Sequence, residues 1–204
     1  MTLYPTELAG TFELLPNCVD QTELNAKGLY VVQGLTHSLA EQLPVRSQEP
    51  AVLDFTPNDY IREDGKLGRF FDVNAAAKWI SKGRFALPLI TADETLIGMA
   101  WMGPEKPDPD KKEPKILGAI TTFAIRLYEG ATGDHNCLPY TNAVLDAHRE
   151  AYENDGVWLE AWGDNPKALK PYGHAGFVEV ARIKGKRHGK QKERVYMTLG
   201  ELNA

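Results

Sequence analysis

Residues 157–177, V-W-L-E-A-W-G-D-N-P-K-A-L-K-P-Y-G-H-A-G-F, decide the fold of this chain. The apolar run 157–162 has the composition and length of a strand. The turn after it contains Asp164 and Asn165, and either residue can cap the start of a helix. Pro166 suits the first turn of that helix, because its missing N–H would have no partner there. The stretch therefore predicts a strand that passes through a capped turn into a helix.

The predicted helix is brief and ends before a second strand. Ala168 and Tyr172 lie on neighbouring turns of it, and Gly176 provides a left-handed stop before Phe177 begins the strand. The whole order, which ends in N-x-x-A-x-x-x-Y-x-x-x-G-F, resembles the acyl-CoA-binding C-terminal half of the GNAT superfamily of N-acetyltransferases. The resemblance covers residues 85–199.

The segments around this stretch predict a mixed sheet. Apolar runs at 85–91 and 95–102, separated by a tight polar turn, predict two antiparallel strands. Downstream the order is strand 117–128, polar turn 129–137, helix 138–153, strand 157–162, helix 165–174 and a closing hairpin of 177–184 with 194–199. A strand, helix, strand order indicates a parallel crossover. We therefore expect an α/β layered domain: a mixed, mostly antiparallel GNAT-like sheet with helices on both faces and one β-α-β crossover.

The N-terminal part is predicted to be mainly helical. Residues 74–82, with Asn74 as the cap, predict a short helix. Apolar residues at helical spacing over 22–43 predict a longer helix with breaks at its glycines. The piece 51–55 is strand-like, within a segment rich in prolines, glycines and charges. We expect a single domain over 1–204, in which 1–84 form the helical acceptor-side part and 85–199 form the sheet and the acyl-CoA-binding core.

Two charged segments are predicted to be exposed. Residues 104–115 contain four prolines and eight charged residues, so they form neither a helix nor part of the core. Residues 182–194 contain seven Lys or Arg and one Glu. A solvated hairpin loop accounts for this basic run, and contact with an anionic partner or with the adenosine 3′-phosphate is the alternative.

Composition narrows the class of protein. A chain of 204 residues with 43% hydrophobic content fills one core, and a net charge of −5 argues against a general nucleic-acid binder. There is no apolar run of eighteen residues and no leader-like start, so we expect a cytoplasmic protein with no membrane partner. Cys18 and Cys137 are far apart, which favours free thiols in a reducing compartment.

The resemblance directs attention to the turn before the predicted helix 138–153. In the GNAT superfamily this turn carries the motif Q/R-x-x-G-x-G/A, whose backbone N–H groups hold the pyrophosphate of coenzyme A. The flanking strand and helix fix the register, and six residues occupy the motif positions: Thr132, Gly133, Asp134, His135, Asn136 and Cys137.

This loop departs from the family motif at several positions. Thr132 replaces the Gln or Arg, His135 replaces the first glycine, and Cys137 replaces the second small residue, while Asp134 adds a negative charge. His135 and Arg126 are the cations available to offset that charge. Three interpretations stay open: a diverged phosphate cradle, a loop with weak or lost acyl-CoA affinity, or an ordinary strand-to-helix connection of another fold.

Tyr172 is the candidate catalytic residue. The resemblance implies that this tyrosine lies close to the coenzyme sulfur and acts as general acid toward the departing thiolate. A tyrosine that only packs between helix and sheet is the alternative. The resemblance also implies that Ile125 and Leu127 line the path of the pantetheine arm and that Asn165 belongs to the cofactor site.

An amine that attacks a thioester must also lose a proton. Glu129, at the end of the fourth strand of the family order, and Glu160, on the fifth, are the nearest candidates by topology. A glutamate in such a place is more often a surface or paired carboxylate. No His and Asp are positioned by sequence to activate Cys137, so we expect no covalent acyl-enzyme, and the histidines lack metal-ligand spacing, so we expect no metal.

These observations predict an acetyl-CoA-dependent N-acetyltransferase that transfers the acetyl group directly to a primary amine of a small molecule or peptide. One alternative is a GNAT-like protein that binds a ligand or partner but has lost catalysis, which the diverged loop favours. Another is a nucleic-acid-associated module that works through 182–194. The sequence leaves the acceptor and the oligomeric state open, with a homodimer among the alternatives.

Overall fold

The fold is built on one mixed sheet. The computed structural model describes residues 7–11, 13–14, 19–56, 70–107, 113–116, 118–132, 135–151 and 156–199. Within these ranges there are eight strands: β1 Glu13–Leu14, β2 Leu29–Gln33, β3 Phe85–Thr91, β4 Leu96–Pro104, β5 Ala119–Leu127, β6 Gly156–Trp162, β7 Phe177–Arg187 and β8 Lys190–Leu199. Their spatial order is β1-β2-β3-β4-β5-β6-β8-β7, and every neighbouring pair is antiparallel except β5 with β6. The predicted fold class is confirmed.

Helices cover both faces of this sheet. In the described ranges they are α1 Val19–Ala26, α2 His37–Arg46, α3 Pro50–Leu53, α4 Val73–Ile80, α5 Cys137–Ala151 and α6 Pro166–His174. One hydrophobic core contains buried side chains of α1, α5 and α6, and we call that side of the sheet the α5 face. A second core contains buried side chains of α2, α3 and α4, and we call that side the α4 face.

Strand β5 divides the two cores by the alternation of its side chains. Phe123 is buried in the core of the α5 face, and Ile125 and Leu127 pack against the same core. Ala124 and Tyr128 belong to the core of the α4 face. Consecutive residues of β5 therefore reach opposite sides of the sheet.

The parallel pairing of β5 with β6 is short. The Cα partners are Ala119 with Gly156, Thr121 with Val157 and Thr122 with Trp158, and both strands then continue without further pairs between them. Gly156 permits the close approach at the start, because a Cβ there would lie 2.1 Å from the backbone oxygen of Gly118. The two strands therefore begin in contact and separate toward their carboxyl ends.

The prediction of one broken helix over 22–43 is wrong. Strand β2 interrupts it, after α1 has ended at Ala26 and Gly28 has turned the chain with a φ of 72°. Val31 is buried in one core and Val32 in the other. A strand buried on both faces is apolar at consecutive positions, and this run mimicked helical spacing.

Two smaller predictions in the N-terminal part are also corrected. The strand-like piece 51–55 is mostly helix α3, which begins at Pro50 because a proline suits the first helical position. Helix α4 begins at Val73, since Asp72 and not Asn74 is its cap: the Oδ1 atom of Asp72 accepts the backbone N–H of Ala75 at 2.7 Å.

The closing hairpin is longer than predicted. Strands β7 and β8 pair from Phe177 with Leu199 up to Arg187 with Lys190. Most of the basic run 182–194 is therefore strand, and only its tip is a turn. Gly176 adopts a φ of 95° after α6, as predicted for a left-handed stop. Of the charged segment 104–115, residues 108–112 lie outside the described residues.

Candidate active site

A cavity of about 1780 Å³ opens where β5 and β6 separate. Both side-chain orientations of β5 line it, so the cavity reaches the α5 face through Phe123 and Ile125 and the α4 face through Ala124 and Arg126. Typical small-molecule pockets measure roughly 300–1,000 Å³. In α/β sheets, ligands bind beyond the carboxyl ends of parallel strands, and this cavity occupies that place and exceeds the typical volume.

Tyr172 lines the cavity on the α5 face. Its side chain is held by two aromatic rings: the ring of Phe123 lies edge-on at a centroid distance of 5.9 Å, and the ring of Phe177 also lies at 5.9 Å. Helix α6 positions the tyrosine because it begins at Pro166 and ends before Gly176. The predicted helix therefore delivers Tyr172 to the point where β5 leaves β6.

The electrostatic environment keeps the Tyr172 phenol protonated. Burial raises its pKa well above the ordinary value, and the nearby Cys137 thiol adds to the rise. Within the described part of the chain, the Tyr172 hydroxyl makes no hydrogen bond to protein. A neutral phenol retains an O–H donor, so Tyr172 has a proton to offer a group bound in the cavity.

The candidate phosphate loop keeps a glycine-like backbone at one of its altered positions. His135 replaces the first glycine of the family motif and adopts a φ of 56°, in the left-handed region that glycine occupies without strain. His135 and Thr132 are exposed and line the cavity. Gly133 and Asp134, which the sequence also assigned to this loop, lie outside the described residues.

The Asn136 side chain connects the end of the loop to the turn after β5 and to Lys27. The side chain is buried, its Nδ2 atom donates to the backbone oxygen of Ala131 at 3.3 Å, and its Oδ1 atom accepts from the Nζ atom of Lys27 at 3.2 Å. Lys27 follows helix α1 and also pairs with Glu23 at 2.9 Å. Sequence reasoning missed this lysine, because 109 residues separate it from Asn136 and no local pattern links them.

The first turn of α5 lies beside the cavity but lacks one backbone N–H donor. Cys137, Leu138 and Pro139 begin the helix and line the cavity, and Pro139 has no backbone N–H. Cys137 is partly buried; burial raises the pKa of its thiol to about 11, although its hydrogen bond with Thr141 acts in the opposite direction. Burial therefore outweighs this hydrogen bond in setting the pKa of the thiol.

Glu160 lines the cavity from β6, while Glu129 does not line it. Glu160 is about 30% exposed and lies 3.5 Å from the Nη1 atom of Arg194 on β8. Glu129 is exposed in the turn after β5, where its backbone N–H donates to the Oε2 atom of Glu49 at 2.7 Å. Of the two carboxylates proposed from topology, the structure brings only Glu160 to the cavity.

Ile125, Leu127 and Asn165, which the resemblance assigned to the cofactor site, all line the cavity. Asn165 occupies the cap position of α6, but its side chain makes no capping hydrogen bond. Asp164 does not cap the helix either. Its carboxylate instead receives two hydrogen bonds from Arg187, both at 2.9 Å, and an ion pair from Lys192 at 2.6 Å.

These contacts tie the hairpin tip to the turn between β6 and α6. Lys192 and, to a smaller degree, Arg187 hold the pKa of the Asp164 carboxyl below its usual range. The Arg187 guanidinium also lies over the rings of Phe55 and Trp162, at 4.8 and 5.2 Å from their centroids. The Trp162 indole donates to the backbone oxygen of Phe55 at 3.0 Å. The hairpin tip therefore braces one end of the cavity on the α4 face.

Arg126, named from sequence as a cation for the phosphate loop, lies on the opposite face from that loop. Its guanidinium lies over the rings of Trp101 and Phe70, at 5.3 and 5.9 Å from their centroids. Phe70 and Trp101 belong to the core of the α4 face, whereas helix α5 packs on the other. Among the described residues, Lys27 lies beside the loop, where its Nζ atom contacts Asn136.

Two structural features are absent from the described ranges. No group of three His, Cys, Asp or Glu side chains there could hold a metal ion. Nor does any helix there have the length and apolar character needed to cross a membrane.

The chain is similar to known proteins in structure but not in sequence. No protein-family model matches the chain, and no curated protein matches it in sequence. Among solved structures it is similar to spermidine N-acetyltransferase from Vibrio cholerae in complex with CoA and spermine, with a TM-score of 0.63 and 15% identity over 85% of this chain and 95% of that one.

Two further solved structures are similar to this chain. A putative acetyltransferase from Salmonella typhimurium with its cofactor acetyl-CoA has a TM-score of 0.63 at 13% identity, covering 87% of this chain and 97% of that one. The ribosomal-protein-S5-alanine acetyltransferase from Vibrio fischeri has a TM-score of 0.62 at 14% identity, covering 84% and 92%. The chain therefore has the fold of the GNAT acetyltransferases, as its sequence predicted.

Proposed function

We propose that this protein is an acetyl-CoA-dependent N-acetyltransferase that acetylates a primary amine by direct transfer in a ternary complex. The observation that carries the proposal is the cavity between β5 and β6, which reaches both faces of the sheet. A cosubstrate entering from the α5 face and an amine entering from the α4 face would meet where the strands separate.

The α5 face suits an acyl-CoA. Beyond Thr122 and Trp158 the two strands no longer pair with each other, so a pantetheine arm has strand backbone available for hydrogen bonds. Ile125 and Leu127 supply apolar surface along the same opening. The loop from Thr132 to Cys137 precedes a helix N-terminus, where a pyrophosphate is favoured by the helix dipole.

Bound acetyl-CoA supplies a thioester: the amine lone pair forms a C–N bond to the acetyl carbon, the C–S bond breaks, and its electron pair leaves on sulfur. Tyr172 donates its proton to that sulfur: burial keeps its phenol protonated until the thiolate forms, and its hydroxyl makes no hydrogen bond to the described part of the chain. Glu160 receives the proton that the amine loses, directly or through water. The proposal gives Glu129 no part in this transfer, because it lies away from the cavity lining.

Cys137 does not carry the acetyl group in this proposal. Its thiol has a pKa of about 11, so the thiolate that a covalent mechanism needs is scarce near neutral pH. Direct attack by the amine accounts for the chemistry without it.

A second candidate function is a GNAT-like binding protein without catalysis. Pro139 favours it, because it removes an N–H from the first turn of α5, beside the candidate phosphate loop. The backbone of His135 favours the enzyme, because it preserves the glycine conformation of that loop.

A transfer assay tests the proposed function. The protein is incubated with acetyl-CoA and a panel of amino acids, amines, aminoglycosides and peptides, and both free thiol and acetylated product are measured. We expect product formation that requires protein and is slowed about 10- to 1,000-fold by Tyr172→Phe. Saturable acetyl-CoA binding with no product from any amine would support the binding protein instead.

A further inference from the structure

Helix α1, from the N-terminal part of the chain, packs on the α5 face of the sheet next to helix α5. Leu24 is fully buried in the core of that face. The Gln21 side chain is also buried, and its Nε2 atom donates to the backbone oxygen of Val31 on β2 at 3.2 Å. These contacts fix α1 to the sheet, so a side chain at its C-terminal end has a defined place.

Lys27 follows α1 and reaches the candidate phosphate loop. Its backbone N–H donates to the oxygen of Leu24 at 2.9 Å. Its ammonium group donates to the Oδ1 atom of Asn136 at 3.2 Å and pairs with Glu23 at 2.9 Å. A cation just beyond the last turn of a helix is also favoured by the helix dipole. The helix and both partners therefore hold this ammonium group in place.

Asn136 joins the two ends of the loop. Residues 132–135 lie between Ala131 and Asn136, and the Nδ2 atom of Asn136 donates to the backbone oxygen of Ala131 at 3.3 Å. The backbone oxygen of Asn136 accepts the N–H of Tyr140 on α5 at 3.0 Å. The residue is only 2% exposed. Its contacts therefore connect the beginning of the loop to the beginning of α5.

Lys27 determines which way the Asn136 amide points. The amide oxygen of an asparagine only accepts hydrogen bonds, its nitrogen only donates them, and a lysine ammonium only donates. With Oδ1 directed at Lys27, Nδ2 is directed at the oxygen of Ala131. Without the ammonium, Oδ1 would lose a charged donor, and a rotated amide would place two acceptors together. Lys27 therefore supports a hydrogen bond that it does not itself make.

The backbone beside Asn136 needs this support. His135 directly precedes it and has a φ of 56°, which a residue other than glycine adopts only at a cost. Such conformations persist where the surrounding contacts hold them. A diphosphate at a helix N-terminus is bound by backbone N–H groups, so its affinity depends on the conformation of the backbone that carries them.

We propose that Lys27 is a positioning residue for the acyl-CoA site: by orienting the Asn136 amide, it holds the loop and the start of α5 in the conformation that binds the diphosphate of coenzyme A. This inference rests on the proposed function, because it concerns the cosubstrate of the same site. It extends that function by giving the N-terminal part of the chain a role in cosubstrate binding. Affinity for the ligand tests it without acetyl transfer.

Glu23 provides a second route by which Lys27 would affect the ligand. Its side chain is 54% exposed, and it lines the cavity. A carboxylate without its cation would repel a ligand that carries phosphates. The double variant Lys27→Met/Glu23→Gln separates the two routes, because it removes both charges without restoring the donor to Asn136.

Calorimetric titration with acetyl-CoA compares these variants. We expect Lys27→Met to raise the Kd at least about tenfold, because a buried acceptor loses its charged donor. The Lys27 side chain is 36% exposed, so the change removes little packing. The double variant should also bind at least about tenfold more weakly than the wild type. An unchanged Kd in Lys27→Met, or full recovery in the double variant, would overturn the proposal.

Arg149→Met is the matched control. Arg149 lies on α5, pairs with Asp146 at 2.6 Å and does not line the cavity. Its replacement also removes a cation that pairs with a carboxylate of its own helix. We expect the Kd for acetyl-CoA to stay within about threefold of the wild type. A loss as large as in Lys27→Met would show a general effect of charge and contradict positioning by Lys27.

A shorter thioester tests whether the loss is confined to the phosphate-bearing part of the ligand. S-acetyl-pantetheine carries the thioester and the pantetheine arm but lacks the diphosphate and the nucleotide. Its affinity, measured from the rise in Tm with ligand concentration, should change less than about threefold in Lys27→Met. Equal weakening of acetyl-CoA and S-acetyl-pantetheine would mean that Lys27 supports the whole site, and would overturn the proposal.

Binding and transfer measured together distinguish this inference from the proposed function. For an accepted amine, Lys27→Met should raise the KM for acetyl-CoA and leave kcat within about threefold. Weaker acetyl-CoA binding in Lys27→Met, with no transfer by the wild type to any amine, would support the positioning role and reject the transferase. Transfer by the wild type, with equal acetyl-CoA affinity in Lys27→Met, would support the transferase and reject the positioning role.

Discussion

The ring of Tyr172 lies edge-on against the ring of Phe123, with centroids 5.9 Å apart, at the point where β5 parts from β6. One residue along β5, Ala124 packs against the core on the other side of the sheet. The tyrosine and the part of the cavity on the α4 face thus lie on opposite sides of a gap in a single layer of backbone. This relationship makes the roles of individual residues separable by mutation.

Tyr172→Phe removes only the hydroxyl. Because the ring contacts with Phe123 and Phe177 remain, we expect acetyl-CoA affinity to change less than about threefold while kcat falls about 10- to 1,000-fold. Tyr30→Phe, at a half-buried tyrosine that does not line the cavity, should leave both values unchanged. Steady-state kinetics and calorimetry measure them, and an unaltered kcat in Tyr172→Phe would remove the general-acid role.

Enlarging an alanine on one face or the other should separate the two ligands. Ala161 lines the cavity and packs against the core of the α5 face, and Ala124 lines it and packs against the core of the α4 face. We expect Ala161→Phe to weaken acetyl-CoA binding at least about tenfold and Ala124→Phe to raise mainly the KM of the acceptor.

Both replacements add bulk beside packed side chains, which costs roughly 1–3 kcal/mol of folding stability, so thermal unfolding must first show that each variant is folded. If each variant impaired the two ligands equally, the division of the cavity between faces would be incorrect.

His135→Gly tests whether the loop keeps a working phosphate cradle. His135 has a φ of 56°, and a non-glycine residue there carries a strain of roughly 1 kcal/mol. We expect glycine to raise thermal stability slightly and to keep or improve acetyl-CoA affinity. His135→Val should lower both, because a β-branched side chain tolerates that conformation poorly. Loss of acetyl-CoA binding in His135→Gly would mean that the imidazole itself contacts the ligand.

Cys137 should make the protein less stable in alkali without serving catalysis. Burial raises its pKa from about 9 to about 11, so the folded state holds the thiol proton more tightly than the unfolded state. The protonated thiol contributes fully to the free energy of unfolding below about pH 9, and this contribution is lost as the pH rises toward 11. Cys137→Ala should therefore show a smaller fall in Tm between pH 8 and 11 than the wild type. It should also keep kcat within about threefold, and a large loss of kcat would indicate an acyl-enzyme.

The C-terminal half of the fold could be predicted because its signals are local. Pro166, Tyr172 and Gly176 lie within a few residues of the boundaries or contacts that they determine. The N-terminal part was harder, because β2 is buried on both faces and its Val31 and Val32 carry no alternation. Periodicity cannot tell such a strand from a helix.

The candidate site shows the same contrast between local and distant information. Ile125 and Tyr172 were assigned to the site by the family resemblance and Glu160 by its place along the chain, and all three line the cavity. Lys27 and the Arg187 to Asp164 pair depend on contacts between segments 109 and 23 residues apart, so no local pattern reveals them. The part of the cavity on the α4 face is assembled from several elements, and its aromatic lining emerges only when the chain is folded.

Calorimetric titration with acetyl-CoA tests the central claim most directly, because every role proposed above requires this ligand between β5 and β6. We expect saturable binding at one site per chain, weakened at least about tenfold in Ala161→Phe and nearly unchanged in Ala124→Phe. Absence of binding at millimolar acetyl-CoA, or binding that ignores Ala161→Phe, would contradict the account.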